Sequence, residues 1–460
     1  MKIRGPIVLY QPRDDGDLGL PLSLLHVGSA LRGQPVVVID GRLDLAPEAR
    51  VVELAREALC LGVTARTGPP LLDALRITTA ARKANPELPV LWGGPHPTFR
   101  PQDCLSPGGP DACVVGFGER TLEEAVVRLR ADGAIDGLAG LARRRGEVFE
   151  PAPARSREEA AALPAADYGL LDLEAYFRWR DTRRIDYCSS RGRPGSPSTP
   201  WSGLPSARVV EELEFLARRH QLREVAFRDE DFFADPRRAE AIGRGLRERG
   251  LPVGWSGTAT LPSLRRLSSE SLRALASFGC TLVRVATPGP TELDEETRGT
   301  LTEGARRLRE AGIAGRFSFV AGTPGTERGG LAAILATARA LRRIDRRFGT
   351  PIRLYAPYPG AESPEPPGFE PPGTLEDWAG AGLEEGRFVA PALARDARRR
   401  HFFLEEAYRT SGRGVGKLLL RLVARIRVLV GFYALDLDRS LVEALARLRT
   451  GRSRRSAMEG

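Results

Sequence analysis

Twice along this 460-residue chain, short apolar runs alternate with longer segments of helical spacing. No other feature constrains the fold as strongly, because repeated strand–helix pairs build a parallel sheet covered by helices. In the first block, residues 7–10, 35–39, 59–63, 89–92 and 112–115 read as strands, and 22–31, 50–58, 71–83 and 121–131 read as helices. Residues 1–135 are therefore expected to form an α/β domain with a doubly wound, Rossmann-like parallel sheet. Ligands of such sheets sit beyond the carboxyl ends of the strands. The loops at those ends, 11–19, 40–42, 64–68, 93–98 and 116–119, carry the unusual residues of this half.

Residues 136–180 read as a connector, with a small hairpin over 138–149. The alternation then resumes. Strands are expected at 184–187, 224–228, 253–257, 282–286, 316–321 and 351–356, with helices at 207–220, 237–249, 268–278, 304–311 and 331–344. About six such units are too few for a closed eightfold barrel, so 181–365 is expected to be a partial, TIM-like β/α barrel with its chemistry at the carboxyl ends of the strands. Beyond the proline-rich bend SPEPPGFEPPG, residues 366–460 read as a helical extension ending in a disordered tail at 451–460. Within it, residues 417–433 place Leu418, Leu422, Ile426 and Leu429 on one stripe beside Arg421 and Arg425. Such a helix either packs on the barrel or rests on a membrane or lipid.

Composition narrows the classes. The net charge of +10 comes almost wholly from arginine, with only three lysines, Lys2, Lys83 and Lys417. The arginines are scattered and often lie near acids, as where Glu211, Glu212 and Glu214 precede Arg218 and Arg219. That is the pattern of solvated helix faces, and no nucleic-acid-binding module accompanies the charge. The five cysteines, Cys60, Cys104, Cys113, Cys188 and Cys280, contain no CxxC pair. They argue for a reducing compartment and against a disulfide framework. The first apolar run ends at Gln11 and Pro12 and reads as a strand rather than a signal peptide. No stretch has the uninterrupted apolar length of a membrane span, and the expected location is the cytoplasm.

Several local signatures occur in a fixed order. They are Gly62-Val-Thr-Ala-Arg-Thr-Gly68, Trp92-Gly-Gly-Pro-His-Pro-Thr98, Gly116-Phe-Gly-Glu119, Ser202-Gly-Leu-Pro205, Phe319-Val-Ala-Gly-Thr-Pro-Gly325 and Tyr355-Ala-Pro-Tyr-Pro-Gly360. Taken alone, Gly93 and Gly94 mark either a close approach of backbone to a ligand or a tight turn at positive φ. Thr64 and Thr67 offer hydroxyl donors, and His96 reads as a surface or hydrogen-bonded histidine. In this order and spacing, however, the chain resembles cobalamin-binding radical S-adenosylmethionine (SAM) proteins, a class with many carbon methyltransferases and some ring-forming enzymes. The resemblance runs from Ile7 to about Arg413. It implies cobalamin in the first domain, with Thr64, Thr67 and Gly68 in the loop along the corrin. It places Gly93, Gly94, His96 and Thr98 near the nucleotide tail, and Gly116, Gly118 and Glu119 where the pocket closes. There is no DxHxxG sequence, so no histidine is expected to replace the lower ligand of cobalt.

The departure from that family lies in residues 186–203, DYCSSRGRPGSPSTPWSG. The family holds a 4Fe-4S cluster on a CxxxCxxC segment there. In the same frame the three cysteine positions hold Arg193, Pro197 and Pro200. Cluster irons are held by thiolates, and neither arginine nor proline offers a side-chain ligand, so no cluster is expected. SAM binding is left open. Asp229, Glu230 and Asp231 follow the next strand, where the family has polar contacts to SAM, but Ala286-Thr-Pro-Gly-Pro290 stands in place of a GxESG-like turn.

Three functions follow from this pattern. One is a cobalamin-dependent enzyme acting on a small molecule by methyl transfer or a cobalt-centred rearrangement or ring closure, without radical SAM chemistry. Another is a non-catalytic homologue acting as partner, regulator or cobalamin sensor. The third is a cobalamin-independent enzyme using Arg193, Asp229, Glu230 and Asp231, since neighbouring carboxylates can split their pKa values and serve as acid and base.

Overall fold

The computed structural model describes residues 5–14, 19–131, 133–156, 159–196, 199–287, 293–323, 328–356, 359, 370–380, 389–408, 415–430 and 433. Pro197, residues 288–290 and the tail at 451–460 lie outside them, as do most of the proline-rich bend and parts of the motifs at 319–325 and 355–360. The chain divides into two compact units, Met1–Arg180 with Pro357–Leu383, and Asp181–Ala356 with Glu384–Gly460.

The first unit begins with β1 (Ile7–Gln11), α1 (Leu22–Ala30), β2 (Val36–Asp40), α2 (Pro47–Ala55), β3 (Cys60–Thr64), α3 (Pro70–Ala84) and β4 (Val90–Gly93). Two short helices, α4 (Pro95–Phe99) and α5 (Pro101–Cys104), precede β5 (Ala112–Val114) and α6 (Glu119–Ala131). The hairpin β6 (Leu141–Arg145) and β7 (Val148–Glu150) and the helix α7 (Leu173–Arg180) complete the run. The sheet order is β2-β1-β3-β4-β5-β6-β7, parallel through β5. The order reverses between β1 and β3, which is the switch point where doubly wound sheets leave a crevice. Buried on both faces, the central strand β1 is an unbroken apolar run, Ile7-Val-Leu-Tyr10. On one side of the sheet, Ile7, Leu9 and Leu91 join Leu24 of α1 and Leu122, Ala125 and Val126 of α6 in one core.

Three boundaries differ from the sequence reading, each for a physical reason. The hairpin expected in a connector extends the first sheet, because β6 pairs antiparallel with β5 and Leu138 and Leu141 join the core. The segment Pro357–Leu383 belongs to the first unit, with α14 (Leu375–Gly380) packed on α3. Helix α2 starts at Pro47 rather than Arg50, since proline in the first turn has its φ preset for the helix.

The second unit holds a six-stranded, all-parallel sheet ordered β8-β11-β12-β13-β14-β15, a half-barrel in which neighbours in space follow one another in the chain. Its elements are β8 (Arg184–Tyr187), the short strands β9 (Ser190–Arg191) and β10 (Ser202–Gly203), α8 (Ser206–His220), β11 (Glu224–Phe227), α9 (Pro236–Glu248), β12 (Gly254–Ala259), α10 (Leu261–Arg266) and α11 (Ser269–Ser277). Then come β13 (Cys280–Ala286), α12 (Glu295–Glu310), β14 (Ala314–Ala321), α13 (Arg328–Ile344) and β15 (Ile352–Leu354). Helix α12 starts nine residues before the expected 304, where the Asp294 side chain accepts from the Thr297 amide at 2.8 Å and caps it. Gly299 and Gly304 hide this helix in the sequence, yet Gly304 is needed because a Cβ there would lie 2.7 Å from Leu264.

Side chains alternate across this sheet. Val225, Phe227, Trp255, Val283, Val285, Phe317 and Phe319 are buried on the helix side, where Trp255 meets Gly243 of α9. The alternate residues, including Arg228, Ser256, Thr258, Arg284, Arg316 and Ser318, point to the other face. Helices α15 (Pro391–Tyr408) and α16 (Val415–Val430) pack together in this unit. Helix α16 buries Ala424 and Val428, while Leu422, Ile426 and Leu429 of the expected stripe are exposed. Among the described residues no helix is long and apolar enough to cross a membrane.

The turn after β4 yields a test of the fold. Gly94 has φ +101°, and a Cβ there would lie 2.9 Å from the Ala65 carbonyl oxygen and from Thr64 Oγ1. Gly94→Ala is expected to destabilise the protein by about 2 kcal/mol through backbone strain and collision, read as a lower melting temperature in calorimetry.

Candidate functional site

Five strands of the first unit end on one edge, and the loops there are built from small residues. Thr64 pairs with Gly93 across β3 and β4. The Gly94 turn lies directly against the Thr64–Ala65 backbone, so the room this glycine makes is filled by protein. Thr98 ties two loops together: its hydroxyl donates to the Gly94 carbonyl at 2.8 Å and accepts from the Gly116 amide at 3.1 Å. Gly116 is exposed with φ +81°, and a Cβ built on it would meet nothing within 4 Å. Phe117 beside it is 43% exposed. Gly118 packs against Val27, and Glu119 is buried at the start of α6. Gly68, at φ +106°, lets the chain turn into α3.

His96 faces inward. It is fully buried, its Nδ1 shares a 2.8 Å hydrogen bond with the Thr67 hydroxyl, and its ring meets Trp378 edge-on at 5.3 Å. Trp378 donates from Nε1 to Asp103 at 3.0 Å and lies under the Arg100 guanidinium. Burial, and then the charge of Arg100, push the His96 imidazole down to about 4, so it is neutral at physiological pH. Thr67 and His96 thus brace the loops from behind, and neither side chain is presented at the strand ends. Thr64 is half-buried, and its hydroxyl has no hydrogen-bond partner among the described residues.

Two polar clusters close the ends of β1 and β2, and the sequence reading missed both. Tyr10 donates to Asp73 at 2.6 Å, and Asp73 also accepts from the Arg13 amide and from Arg76. Those bonds hold the Asp73 carboxyl below the usual range against the opposing effect of its burial. Asp40 pairs with Arg42 at 2.6 Å and accepts from the Tyr176 hydroxyl of α7. The only local signals were an aspartate at the end of β2 and another in the first turn of α3.

In the second unit, the loop at the expected cluster position is a ribbon closed on itself. Ser190 and Arg191 pair antiparallel with Gly203 and Ser202, and Arg193 bridges Pro200. The Arg193 amide donates to the Thr199 carbonyl at 2.8 Å. Gly192, at φ +66°, must be glycine, since a Cβ would strike the Thr199 and Pro200 carbonyls. Arg238 of α9 holds the ribbon's base, donating to the Leu204 carbonyl at 2.7 Å and the Ser189 carbonyl at 2.6 Å. Desolvation and the nearby Asp229 carboxylate push the Cys188 thiol up to about 12, so it stays protonated.

The three carboxylates after β11 do not converge. Asp229 is buried and accepts from the Ser189 hydroxyl at 2.8 Å and from the Ser190 hydroxyl, and burial raises its pKa. Asp231 is also buried, accepting from Thr260 and Ser263, each at 2.6 Å. Glu230 is exposed. The two buried members are engaged by different elements, Asp229 by the serines after β8 and Asp231 by Thr260 and Ser263 of the β12–α10 segment.

Residues 16–126 match the B12 binding domain. That stretch contains the loops after β2, β3, β4 and β5 described above. Over 393 residues, 78% of this chain and 82% of the relative, the chain is 26% identical to an uncharacterized methyltransferase of Pyrococcus horikoshii. Over 284 residues, 57% of this chain and 50% of the relative, it is 26% identical to the anaerobic magnesium-protoporphyrin IX monomethyl ester cyclase of Rubrivivax gelatinosus. Its fold is that of cobalamin-dependent radical SAM enzymes. The methyltransferase TsrM from Kitasatospora setae, solved with cobalamin and a [4Fe-4S] cluster, superposes with a TM-score of 0.66 at 17% identity, covering 88% of this chain and 89% of TsrM. OxsB, solved with aqua-cobalamin and S-adenosylmethionine, gives 0.61 at 18% identity, covering 76% of this chain and 53% of OxsB.

The carboxyl-end edge of this stretch carries both exposed and half-buried residues. Gly116 leaves open space, Phe117 offers an exposed ring, and Thr64 keeps a hydroxyl available. The histidine beside the double glycine is engaged inside the protein. Among the described residues, no three His, Cys, Asp or Glu side chains are grouped to hold a metal ion.

The buried histidine sets a pH dependence. The unfolded chain binds a proton at His96 near the ordinary value of 6.5, while the folded chain resists until about 4. Stability is therefore complete above that window and falls as pH drops through it, by about 3 kcal/mol. Calorimetric melting across pH 7.5 to 4 is expected to show a steeper acid loss in the wild-type protein than in His96→Gln.

Proposed function

We propose that this protein is a cobalamin-binding enzyme of small-molecule biosynthesis that works without a 4Fe-4S cluster, by methyl transfer or a related cobalt-centred rearrangement or ring closure. The observation that carries this reading is a contrast between the units. The edge of the B12 binding domain keeps an open glycine, an exposed aromatic ring and an available hydroxyl. In the ribbon of the second unit, Arg193 and Pro200 stand at two of the three ligand positions and bridge each other. The similarity to a methyltransferase and to a cyclase supports an enzyme of this kind.

Cobalamin, when bound, supplies a cobalt centre that can carry and transfer a carbon group. The protein's part is to hold and shield it. Thr64 would donate its hydroxyl to an amide or phosphate of the cofactor. The Gly116 backbone allows close approach, and Phe117 covers apolar surface and excludes water. Thr98 keeps the Gly94 and Gly116 loops at a fixed separation, and the Thr67–His96–Trp378 stack keeps them rigid.

A second reading is a non-catalytic homologue, favoured by one observation: Asp229 and Asp231 are both committed to structural hydrogen bonds. Steady turnover of any substrate by the isolated protein eliminates it.

Two measurements test the main reading. After anaerobic reconstitution with hydroxocobalamin, iron and sulfide, metal analysis is expected to find cobalt bound and iron missing. About four irons per chain with a cluster spectrum overturns the cluster-free assignment, and no cobalt overturns the cofactor. Thr64→Val keeps the shape of the strand end and is expected to weaken cobalamin binding about fivefold, the loss of one hydrogen bond of about 1 kcal/mol.

A further inference from the structure

The face of the half-barrel turned away from its helices is charged, and the charges do not balance. Register places Arg284 of β13 beside Thr258 of β12 on one side and Arg316 of β14 on the other. Arg228 follows the end of β11, two residues beyond the Ala226–Ser256 pair, and so lies level with Thr258. Arg184 and Glu224 are register partners two layers below, and Asp186 pairs with Ala226 in the layer between. On the described strands β8 to β14, this face therefore carries Arg184, Arg228, Arg284 and Arg316 against Asp186 and Glu224.

Asp186 and Glu224 attract the Arg284 guanidinium through space, but neither pairs with it. Asp186 is engaged by Arg228, with Nε to Oδ1 at 2.6 Å. Arg284 is half-buried, and its hydrogen bonds go to neutral atoms: Nη2 donates to Ser256 Oγ at 2.8 Å, and Nη1 lies 3.5 Å from the Phe227 carbonyl. It has no carboxylate partner among the described residues. Burial, and then the charge of Arg228, push its guanidinium down to about 10, which leaves it charged at neutral pH. Taking a guanidinium partly out of water without an anion costs solvation that neutral partners return only in part. Arg316 beside it is exposed, so the row is open to solvent.

We propose that this face binds an anionic small molecule whose phosphate or carboxylate group is held by Arg284, with Arg228 and Arg316 on either side. Guanidinium groups match both anions through paired N–H donors, and Ser256, Thr258 and Ser318 supply neutral hydrogen-bonding groups on the same face. The assignment gives a substrate class to the enzyme proposed above and as a substrate site rests on that reading. The anion site itself is independent of cobalamin. A ligand bearing a net positive charge is disfavoured on this face by the same excess of arginine.

The test is calorimetric titration at physiological ionic strength, where weak surface attraction is screened. Inorganic phosphate and succinate serve as separate probes of full-length wild-type protein, Arg284→Met, Arg284→Lys, Arg316→Gln and the surface control Arg306→Gln. Saturable binding of one or both probes is expected. Phosphate alone assigns a phosphate ester, succinate alone a carboxylic acid, and both an anion site that accepts either. Arg284→Met should weaken binding at least about tenfold, Arg284→Lys less, Arg316→Gln several-fold, and Arg306→Gln not at all. Arg284→Met is expected to melt no lower than wild type, because it removes an uncompensated charge. Should it fail to fold, Arg316→Gln carries the comparison. No binding of either probe, or equal binding by Arg284→Met or Arg316→Gln and wild type, overturns the proposal. The visible spectrum of bound cobalamin is recorded on the same samples. Anion binding without cobalamin removes the enzyme reading and leaves this site, and cobalamin retention without anion binding does the reverse.

Discussion

The first unit depends on the pairing of β1 with a parallel neighbour on each side. Ile7, Val8, Leu9 and Tyr10 are all buried, so this strand can exist only with both faces covered by helices and both edges filled by β2 and β3. Because the connections leave in opposite directions from that centre, the sheet opens between the ends of β1 and β3. The open edge is where the polar and small residues collect, from Tyr10 and Asp73 through Thr64 and Gly94 to Gly116. The same burial that makes the core places the binding edge.

The two units spend their polar residues differently. In the first, buried polar groups brace loops: Thr67 with His96, Thr98 with Gly94 and Gly116, Asp40 with Arg42 and Tyr176. In the second, the ribbon after β8 is closed by its own backbone and by Arg238, and the carboxylates of Asp229 and Asp231 are absorbed into neighbouring hydroxyls. What is left over is cationic. Arg284 has neutral partners where a structural arginine would have an acid. The strands of this half-barrel thus present a charged, open face.

Much of this was legible in the chain. All five parallel strands of the first sheet and all six of the half-barrel fall on the apolar runs, since burial on one or both faces demands that composition. Gly94 and Gly116 stand out in the chain as glycines at strand ends, and their packing differs: Gly94 is close-packed on protein and Gly116 is open. Helix α12 was cut short because interior glycines read as breakers, although the Asp294 cap was present. The carboxylates of Asp229, Glu230 and Asp231 looked like a cluster because they are consecutive. They lie beyond the end of β11, where strand alternation no longer sets direction, and the structure ties the two buried ones to different partners.

The sequence by itself determined the alternation of strands and helices, the glycines that turns require, and the lack of three suitably spaced cysteines. These are local properties, set by periodicity, backbone freedom and side-chain chemistry. Only the tertiary structure decided which distant groups meet. Trp378 bonds Asp103 across 275 residues of chain and meets His96 edge-on, and Arg284 aligns with Arg316 across a strand pair. Such meetings depend on how the chain closes on itself, and no pattern within one segment encodes its partner in another.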